Sequence, residues 1–349
     1  MSDRLRVIVA SPLDEELCAL IEEREPRVSV IRDHSLLPTQ RHGGDHQGDP
    51  SFTRTAEQQQ KFDALVDSAD ALYGLPDESA TALARTITAN PTLRWVHTTP
   101  AGGGAQVRAA KLGEDDLNRI LFTQSAGVHA EPLAEFALLG VLAGLKQLPR
   151  LQAAQAENRW ADRWTMGLIS EQTILVVGLG SIGKAVAQKL SLLGATVIGV
   201  HRREVDAPGV TKIVPVDDFA DAAASADAII MTLPGTAATN KMLSSTVLAA
   251  VRPGVTVVNV GRGTTIDEDA LVVALGDGRV GYAALDVFAT EPLSESSPLW
   301  GMPNVLVSPH TSALHPNEDR LIAELFADNA TRLLDGRPLI NRVNTVEFY

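Results

Sequence analysis

Residues 173–187, TILVVGLGSIGKAVA, are the stretch on which the fold turns. Ile174-Leu175-Val176-Val177 is a largely β-branched run with the character of a buried strand. It leads directly into Gly178-Leu179-Gly180-Ser181-Ile182-Gly183, and a helix-like stretch from Lys184 to Leu193 follows. Strand, G-x-G-x-x-G and helix in that order make a dinucleotide-binding turn. Gly178 permits the tight turn, Gly180 lets backbone approach a pyrophosphate, and Gly183 lets the helix pack on the strand, while the helix N-terminus offers N–H groups and positive potential. Gly178, Gly180, Ser181, Ile182 and Gly183 are therefore taken as cofactor contacts.

The next strand, Thr196 to Val200, ends in His201-Arg202-Arg203, where an NAD site usually carries an Asp or Glu for the adenosine ribose. No carboxylate stands there to repel a 2′-phosphate, and two guanidiniums are in reach to pair with one. His201, Arg202 and Arg203 thus favour NADP(H) over NAD(H). Glu204 takes the acidic role if the strand ends a few residues later, and two merely solvated arginines would leave either cofactor usable.

Outward from this turn, strand-like and helix-like runs alternate: Ala228 to Leu233, Val255 to Val260, Ala270 to Leu275 and Val305 to Val307. That succession predicts a doubly wound parallel sheet. Before it lies one long helix, Glu131 to Leu151, with Pro132 in its first turn, and Trp160 and Trp164 are assigned to interdomain or dimer packing. The N-terminal third reads as a second small α/β domain, from Arg6 to Ala10 through Val28 to Ile31, Ala71 to Tyr73 and Leu93 to Val96. Pro38 to Lys61 interrupts it as a polar, glycine-containing insertion, with alternation resuming at Phe62 to Val66. His42, Asp45, His46 and Asp49 fall in that insertion without regular ligand spacing, so a solvated loop is expected there and no metal site. Asp319 to Leu334 has a helical period and stops at Asp335-Gly336-Arg337-Pro338.

Length and composition bound the rest. The 349 residues suit two domains, and 45% hydrophobic against 21% charged residues is a globular balance. Thirty basic and 43 acidic side chains give a net charge of −13, which argues against nucleic acid as a partner. Cys18 is the single cysteine, so neither an internal disulfide nor a two-thiolate zinc site is possible. The start, MSDRLRVIVASPL, has no signal-like apolar core, and no apolar stretch is long enough to cross a bilayer; a cytoplasmic protein with no membrane association is expected.

Six motifs in order carry a resemblance to the D-isomer-specific 2-hydroxyacid dehydrogenases: SAGVH at 125–129, VGLGSIGKAVA at 177–187, TLPGTAATNKML at 232–243, NVGRGTTIDEDAL at 259–271, ALDVFATEPL at 284–293 and SPHTSA at 308–313. The resemblance implies an α/β fold in which a Rossmann-type doubly wound cofactor domain, residues 129–315, is inserted into a smaller flavodoxin-like substrate domain made of residues 1–128 and 316–349. It implies a catalytic set of Arg262, which holds the carboxylate and carbonyl oxygen of a 2-oxo acid, His310, the acid–base group, and Glu291, which orients the imidazole and stabilises the imidazolium. Leu233, Pro234, Thr239 and Val260 would join the cofactor contacts, and Asp286 would accept from the nicotinamide carboxamide. His97, His129 and His315 are expected to be structural before they are substrate contacts.

The chain departs from the family at the loop after Leu93 to Val96, where relatives commonly read Ala-Gly-Val-Asp and this sequence reads Ala101-Gly102-Gly103-Gly104-Ala105. Ala101, Gly102 and Gly103 are still assigned to the substrate through their backbone N–H groups. The expected activity is hydride transfer between a nicotinamide cofactor and a 2-oxo acid/D-2-hydroxy acid pair, with glyoxylate or hydroxypyruvate as the specific guess. The expected assembly is a homodimer through the cofactor domain. A rival of another class is a dinucleotide-sensing, corepressor-like binding protein.

Overall fold

The computed structural model describes residues 4–346 and residue 348, and it divides into two compact units, Met1–His129 with Leu314–Tyr349, and Ala130–Ala313. The first unit runs β1 (Leu5–Val9), α1 (Glu15–Arg24), β2 (Val28–Ile31), α2 (Ala56–Val66), β3 (Ala71–Tyr73), α3 (Ala80–Ala89), β4 (Trp95–Thr98), α4 (Gly104–Ala109), α5 (Glu114–Arg119) and β5 (Leu121–Gln124), and is completed by the C-terminal helix Glu318–Leu334. Its five strands are parallel in the order β2-β1-β3-β4-β5, the flavodoxin-like arrangement. Strands buried on both faces need apolar side chains in both directions, and β3 and β4 are buried at every position. The C-terminal helix joins this core through Phe326, whose ring stacks on Trp95 at 4.3 Å and meets Tyr73 edge-on at 5.3 Å.

Two expectations are corrected here. The helix α2 begins at Ala56, inside the segment read as insertion, because Thr55 and Gln58 form a reciprocal capping box that the polar composition conceals. The remaining loop is solvated only in part: His42 and Asp49 are exposed as expected, whereas Asp45 and His46 are not. Asp45 is buried and accepts from the Arg41 backbone and guanidinium and from the Gly48 N–H, which holds its carboxyl well below the usual carboxylate range. Gln40 and the Gly44 N–H both donate to Asp319, and His46 Nε2 lies 3.4 Å from Glu318 Oε1, so the loop is tied to the first turn of the C-terminal helix. His129 Nε2 reaches the same Glu318 oxygen at 2.9 Å. Burial alone would raise the Glu318 carboxyl, but these two imidazoles bring it down to about 2. His97 is fully buried between Thr123 and Ser125, and burial pushes it down to about 3, so it is a neutral structural histidine.

The second unit runs α6 (Ala130–Leu145), α7 (Leu148–Ala156), β6 (Thr173–Val177), α8 (Ser181–Leu192), β7 (Thr196–Val200), β8 (Lys212–Val214), α9 (Phe219–Ser225), β9 (Ala228–Met231), α10 (Ser245–Ala250), β10 (Val255–Asn259), α11 (Glu268–Gly276), β11 (Val280–Leu285) and β12 (Val305–Val307). The expected single helix is two. Gln147 adopts a left-handed conformation with φ of 52°, and Pro149 falls in the first turn of α7, where its missing N–H costs nothing. Trp160 is 99% exposed, so it packs on nothing among the described residues, whereas the Trp164 ring lies 4.0 Å under the Arg150 guanidinium.

All seven strands of the second sheet are parallel, in the order β12-β11-β10-β9-β6-β7-β8. The chain reverses its direction of winding between β6 and β9, which makes that crevice the place where an open α/β sheet binds its ligand. Among the described residues, no helix is long and apolar enough to cross a membrane, and no group of three or more His, Cys, Asp or Glu is arranged to hold a metal ion.

Candidate active site

Register places the candidate residues of the second unit. Val200, Val177, Met231, Asn259, Leu285 and Val307 pair in one continuous row across β7, β6, β9, β10, β11 and β12. Gly178, His201, Leu233 with Pro234, Val260 with Arg262, Asp286, and His310 each follow a member of that row within three residues. Neighbouring strands lie about 4.8 Å apart, so the exits of β10, β11 and β12 fall within about 10 Å of one another. Residues separated by 48 positions in sequence thereby share one edge of one sheet.

The turn after β6 has the shape its glycines predict. A Cβ on Gly183 would stand 1.8 Å from the Gly178 carbonyl oxygen, so only glycine lets α8 start this close to the strand. A Cβ on Gly180 would meet nothing within 4 Å, leaving open space beside the N-terminus of α8, where Ser181 is the first helical residue and Ile182 packs partly into the core. This is the cradle a pyrophosphate fits. Across the crevice, Thr232 Oγ1 donates to the Val177 and Gly178 carbonyls, pinning the exit of β9 to the turn, and Thr239 Oγ1 donates to the Pro234 carbonyl at 2.6 Å to close the following loop. β7 ends at Val200 as expected; the backbone then bends, with the Arg203 N–H donating to His201 Nδ1, and Arg202, Arg203 and Glu204 are all exposed.

Arg262 is held by its surroundings rather than by its own helix or strand. Asn259 Nδ2 and Thr265 Oγ1 both donate to the Arg262 carbonyl, Asn259 Oδ1 accepts from the Gly261 N–H, and Nη1 of the guanidinium donates to the Gly261 carbonyl at 2.7 Å. A Cβ on Gly263 would fall 1.8 Å from the Phe288 carbonyl carbon, so the Arg262 loop lies directly on the segment after β11. The Phe288 N–H in turn donates to Glu291 Oε1, and Glu291 Oε2 meets His310 Nδ1 at 2.7 Å. This is a carboxylate–imidazole pair whose carboxylate is oriented by backbone and whose Nε2 is left for other chemistry.

His310 has φ of 54°, a left-handed conformation that a side chain of its size rarely adopts. Asp286, 1% exposed, explains how it is maintained. Its Oδ1 accepts from Ser308 Oγ at 2.6 Å, from the Thr311 N–H at 3.0 Å and from the Ser312 N–H at 3.1 Å, clamping the turn on both sides of His310. One oxygen of Asp286 is thus committed to the His310 turn, a role that the strand-end position did not announce. Asn259, Thr265, Ser308 and the Phe288 N–H were also not singled out by sequence reasoning; all four lie inside the quoted motifs, which was the only signal they gave.

The loop Ala101 to Ala105 is in the first unit. The Gly104 N–H donates to Gln124 Oε1, and the N–H groups of Ala105 and Gln106 close the first turn of α4 on Gly102 and Gly103. The N–H groups of this loop engaged within the unit are therefore those from Gly104 onward.

The turn, the row of strand ends and the imidazole–carboxylate pair define a dinucleotide-dependent oxidoreductase. The sequence model described as D-isomer specific 2-hydroxyacid dehydrogenase, NAD binding domain, matches residues 138–312. The D-3-phosphoglycerate dehydrogenase of Mycobacterium tuberculosis is 34% identical over 254 residues, 72% of this chain and 47% of that protein, so the chain spans about half the length of that relative. Glyoxylate/hydroxypyruvate reductase B of Pectobacterium atrosepticum is 30% identical over 66% of this chain and 74% of its own length. Among solved structures, a D-isomer specific 2-hydroxyacid dehydrogenase from Xanthobacter autotrophicus Py2, in complex with NADPH and MES, is 28% identical and superposes with a TM-score of 0.76, covering 99% of this chain and 100% of that one. The chain belongs to the D-isomer specific 2-hydroxyacid dehydrogenase family.

Proposed function

We propose that the protein reduces a short 2-oxo acid to the D-2-hydroxy acid, with glyoxylate or hydroxypyruvate as substrate and NADPH used in preference to NADH. The observation that carries the reading is the 2.7 Å contact between Glu291 Oε2 and His310 Nδ1, in the same row of strand ends as Arg262 and the glycine turn. The dinucleotide supplies a hydride. Arg262 binds the substrate carboxylate and carbonyl oxygen through its planar fork and so selects the face that is reduced. His310 Nε2 gives a proton to the carbonyl oxygen as it becomes an alcohol and takes one back in the oxidative direction. Glu291 accepts from Nδ1, which fixes the ring and stabilises the imidazolium. The second unit is the cofactor domain, the first supplies the substrate side through Ala101 to Gly103, and a homodimer through the second unit would cover Trp160.

The test is loss of nicotinamide absorbance with glyoxylate, hydroxypyruvate, phenylpyruvate and 2-oxoisocaproate, each with NADH and NADPH. Consumption with glyoxylate or hydroxypyruvate is expected. Silence across the panel while dinucleotide still binds would overturn the reading.

NADPH preference rests on Arg202 and Arg203 following β7 with no carboxylate before Glu204. Arg202→Ala combined with Arg203→Ala is expected to raise the KM for NADPH by about tenfold or more while that for NADH changes little, since a charge-assisted contact to a 2′-phosphate is worth about 1.5–3 kcal/mol. Equal effects on the two cofactors would return both arginines to the solvated surface.

A further inference from the structure

The first turn of the C-terminal helix carries two neighbouring carboxylates that are out of solvent. The side chains of Glu318 and Asp319 are 2% and 13% exposed, and two imidazoles, each 10% exposed, converge on them. His129, the last residue before the chain leaves the first unit, and His46, from the loop before α2, both reach Glu318 Oε1. A Cβ on Gly44 would stand 2.5 Å from Glu318 Oε2, so the loop lies directly on this carboxylate. Its other ties run to the same turn, where Gln40 Nε2 and the Gly44 N–H donate to Asp319 Oδ2. Three segments far apart in sequence are joined through two carboxylates.

A carboxylate only accepts, so both Nε2 atoms donate to Glu318. In a neutral ring the single proton is then on Nε2, and Nδ1 is an acceptor. Nδ1 of His46 faces Asp319 Oδ1 at 3.8 Å, acceptor against acceptor, and among the described residues neither atom has a hydrogen-bond partner. A second proton on the ring turns Nδ1 into a donor that a small shift brings into hydrogen-bond range of Asp319, and its charge offsets one of two adjacent buried carboxylates. The surroundings favour the same form. Glu78 acts on His46 from the turn after β3, Asp49 and Asp77 line the cavity beside the ring, and the guanidinium of that lining, Arg54, is neutralised by Asp77 at 2.6 Å. Within the loop, Asp45 is paired with Arg41. Tyr73 of β3 lies in the field of Glu318 and Asp319, and His97 of β4 in that of His46; burial keeps both uncharged. Burial alone would lower the His46 imidazole, but the Glu318 hydrogen bond and the Asp319, Glu318 and Glu78 charges outweigh it and raise it above its ordinary value.

We propose that His46 is a proton-dependent latch within the first unit: charged, it bridges Glu318 and Asp319 and fastens the loop around Gly44 to the C-terminal helix; neutral, it leaves Nδ1 against a carboxylate oxygen and lets the loop open. Because the folded-state imidazole is raised above its unfolded value of about 6.5, the stabilisation is fully present below that pH and is lost as pH rises through the higher folded value. Glu318, held down at about 2, stays ionised across this range, so the carboxylate side of the latch does not titrate. The Phe326–Trp95 stack that seats the rest of the helix involves none of these groups, so release frees the loop and not the helix.

The test is amide hydrogen exchange of the loop 40–48 in the full chain at about pH 6 and about pH 9, corrected for the intrinsic pH dependence of exchange, with β4 as the internal reference. Loop protection is expected to fall about tenfold or more at the higher pH while β4 is unchanged, the order of one charge-assisted hydrogen bond. His46→Gln keeps a neutral N–H donor for Glu318 and cannot be protonated, so the fall with pH should disappear. Asp319→Asn guards against a packing defect in that variant. Its amide oxygen can still accept from Gln40 and Gly44, while its N–H donates to a neutral His46 Nδ1, so here too the fall should disappear. Wild-type protection that does not change with pH, a loss shared equally by β4, or an undiminished fall in either variant overturns the latch.

Discussion

His310→Asn is expected to lower kcat by about 10²- to 10⁴-fold, the usual worth of a positioned general acid–base group, while NADPH binding followed by nicotinamide fluorescence stays close to wild type. Asparagine is chosen because His310 has φ of 54°, and a short amide side chain accepts that conformation where alanine would add strain of its own. The Asp286 clamp on Ser308, Thr311 and Ser312 does not involve the imidazole, so the turn should survive the change. What disappears is the ring whose Nδ1 meets Glu291 and to whose Nε2 the proposed function assigns the proton. The loss should therefore appear in kcat and kcat/KM together, with the dissociation constant of NADPH unaltered. Turnover at the wild-type rate would remove His310 from the mechanism and leave the Glu291 pair a structural contact.

Much of this arrangement was legible because the deciding signals are local. A β-branched run followed by glycines at three fixed positions can be read without tertiary knowledge, and β6, α8 and β7 fall where the sequence puts them, to within three residues. The same holds for β2, β3 and β12. Elements that went unread lack that signal. β11, VGYAAL, draws its burial from alanines packed against neighbouring strands, and β8, Lys212–Val214, opens on an exposed lysine and lacks the continuous apolar run of the equally short edge strand β12. The start of α2 is polar on its outer face and is decided by a side-chain capping box.

At the candidate site, the side chains to which the chemistry is assigned were easier to read than those that hold them. Arg262, Glu291 and His310 stand out as ionisable groups in recognisable motifs, but their mutual geometry depends on long-range contacts: 19 positions separate Glu291 from His310, and 25 separate Asp286 from the Thr311 N–H it accepts. Asn259 and Ser308 are ordinary polar residues until the strands are paired. The burial of His46 against Glu318, 272 positions away, likewise depends on the C-terminal helix returning to the first unit. A loop judged solvated from its composition is held by a partner that local reading does not reach.

Arg262→Lys is expected to reduce kcat/KM for the 2-oxo acid by about 100-fold, although the formal charge is kept. The Arg262 backbone is fixed by Asn259, Thr265 and the close approach of Gly263 to Phe288, so the replacement should begin from the same place. Lysine ends in a compact ammonium with no planar fork, and it cannot at once replace the Nη1 bond to the Gly261 carbonyl and grip two substrate oxygens side by side. Losing one charge-assisted bond costs roughly 1.5–3 kcal/mol, and the misaimed carbonyl adds a further loss in the chemical step. Steady-state kinetics distinguishes the two contributions: weaker binding raises KM, and misorientation lowers kcat, so both should move. A variant with unchanged kcat/KM would mean that the substrate carboxylate is held elsewhere, and the donors preceding Gly104 in the first unit would then be the next place to look.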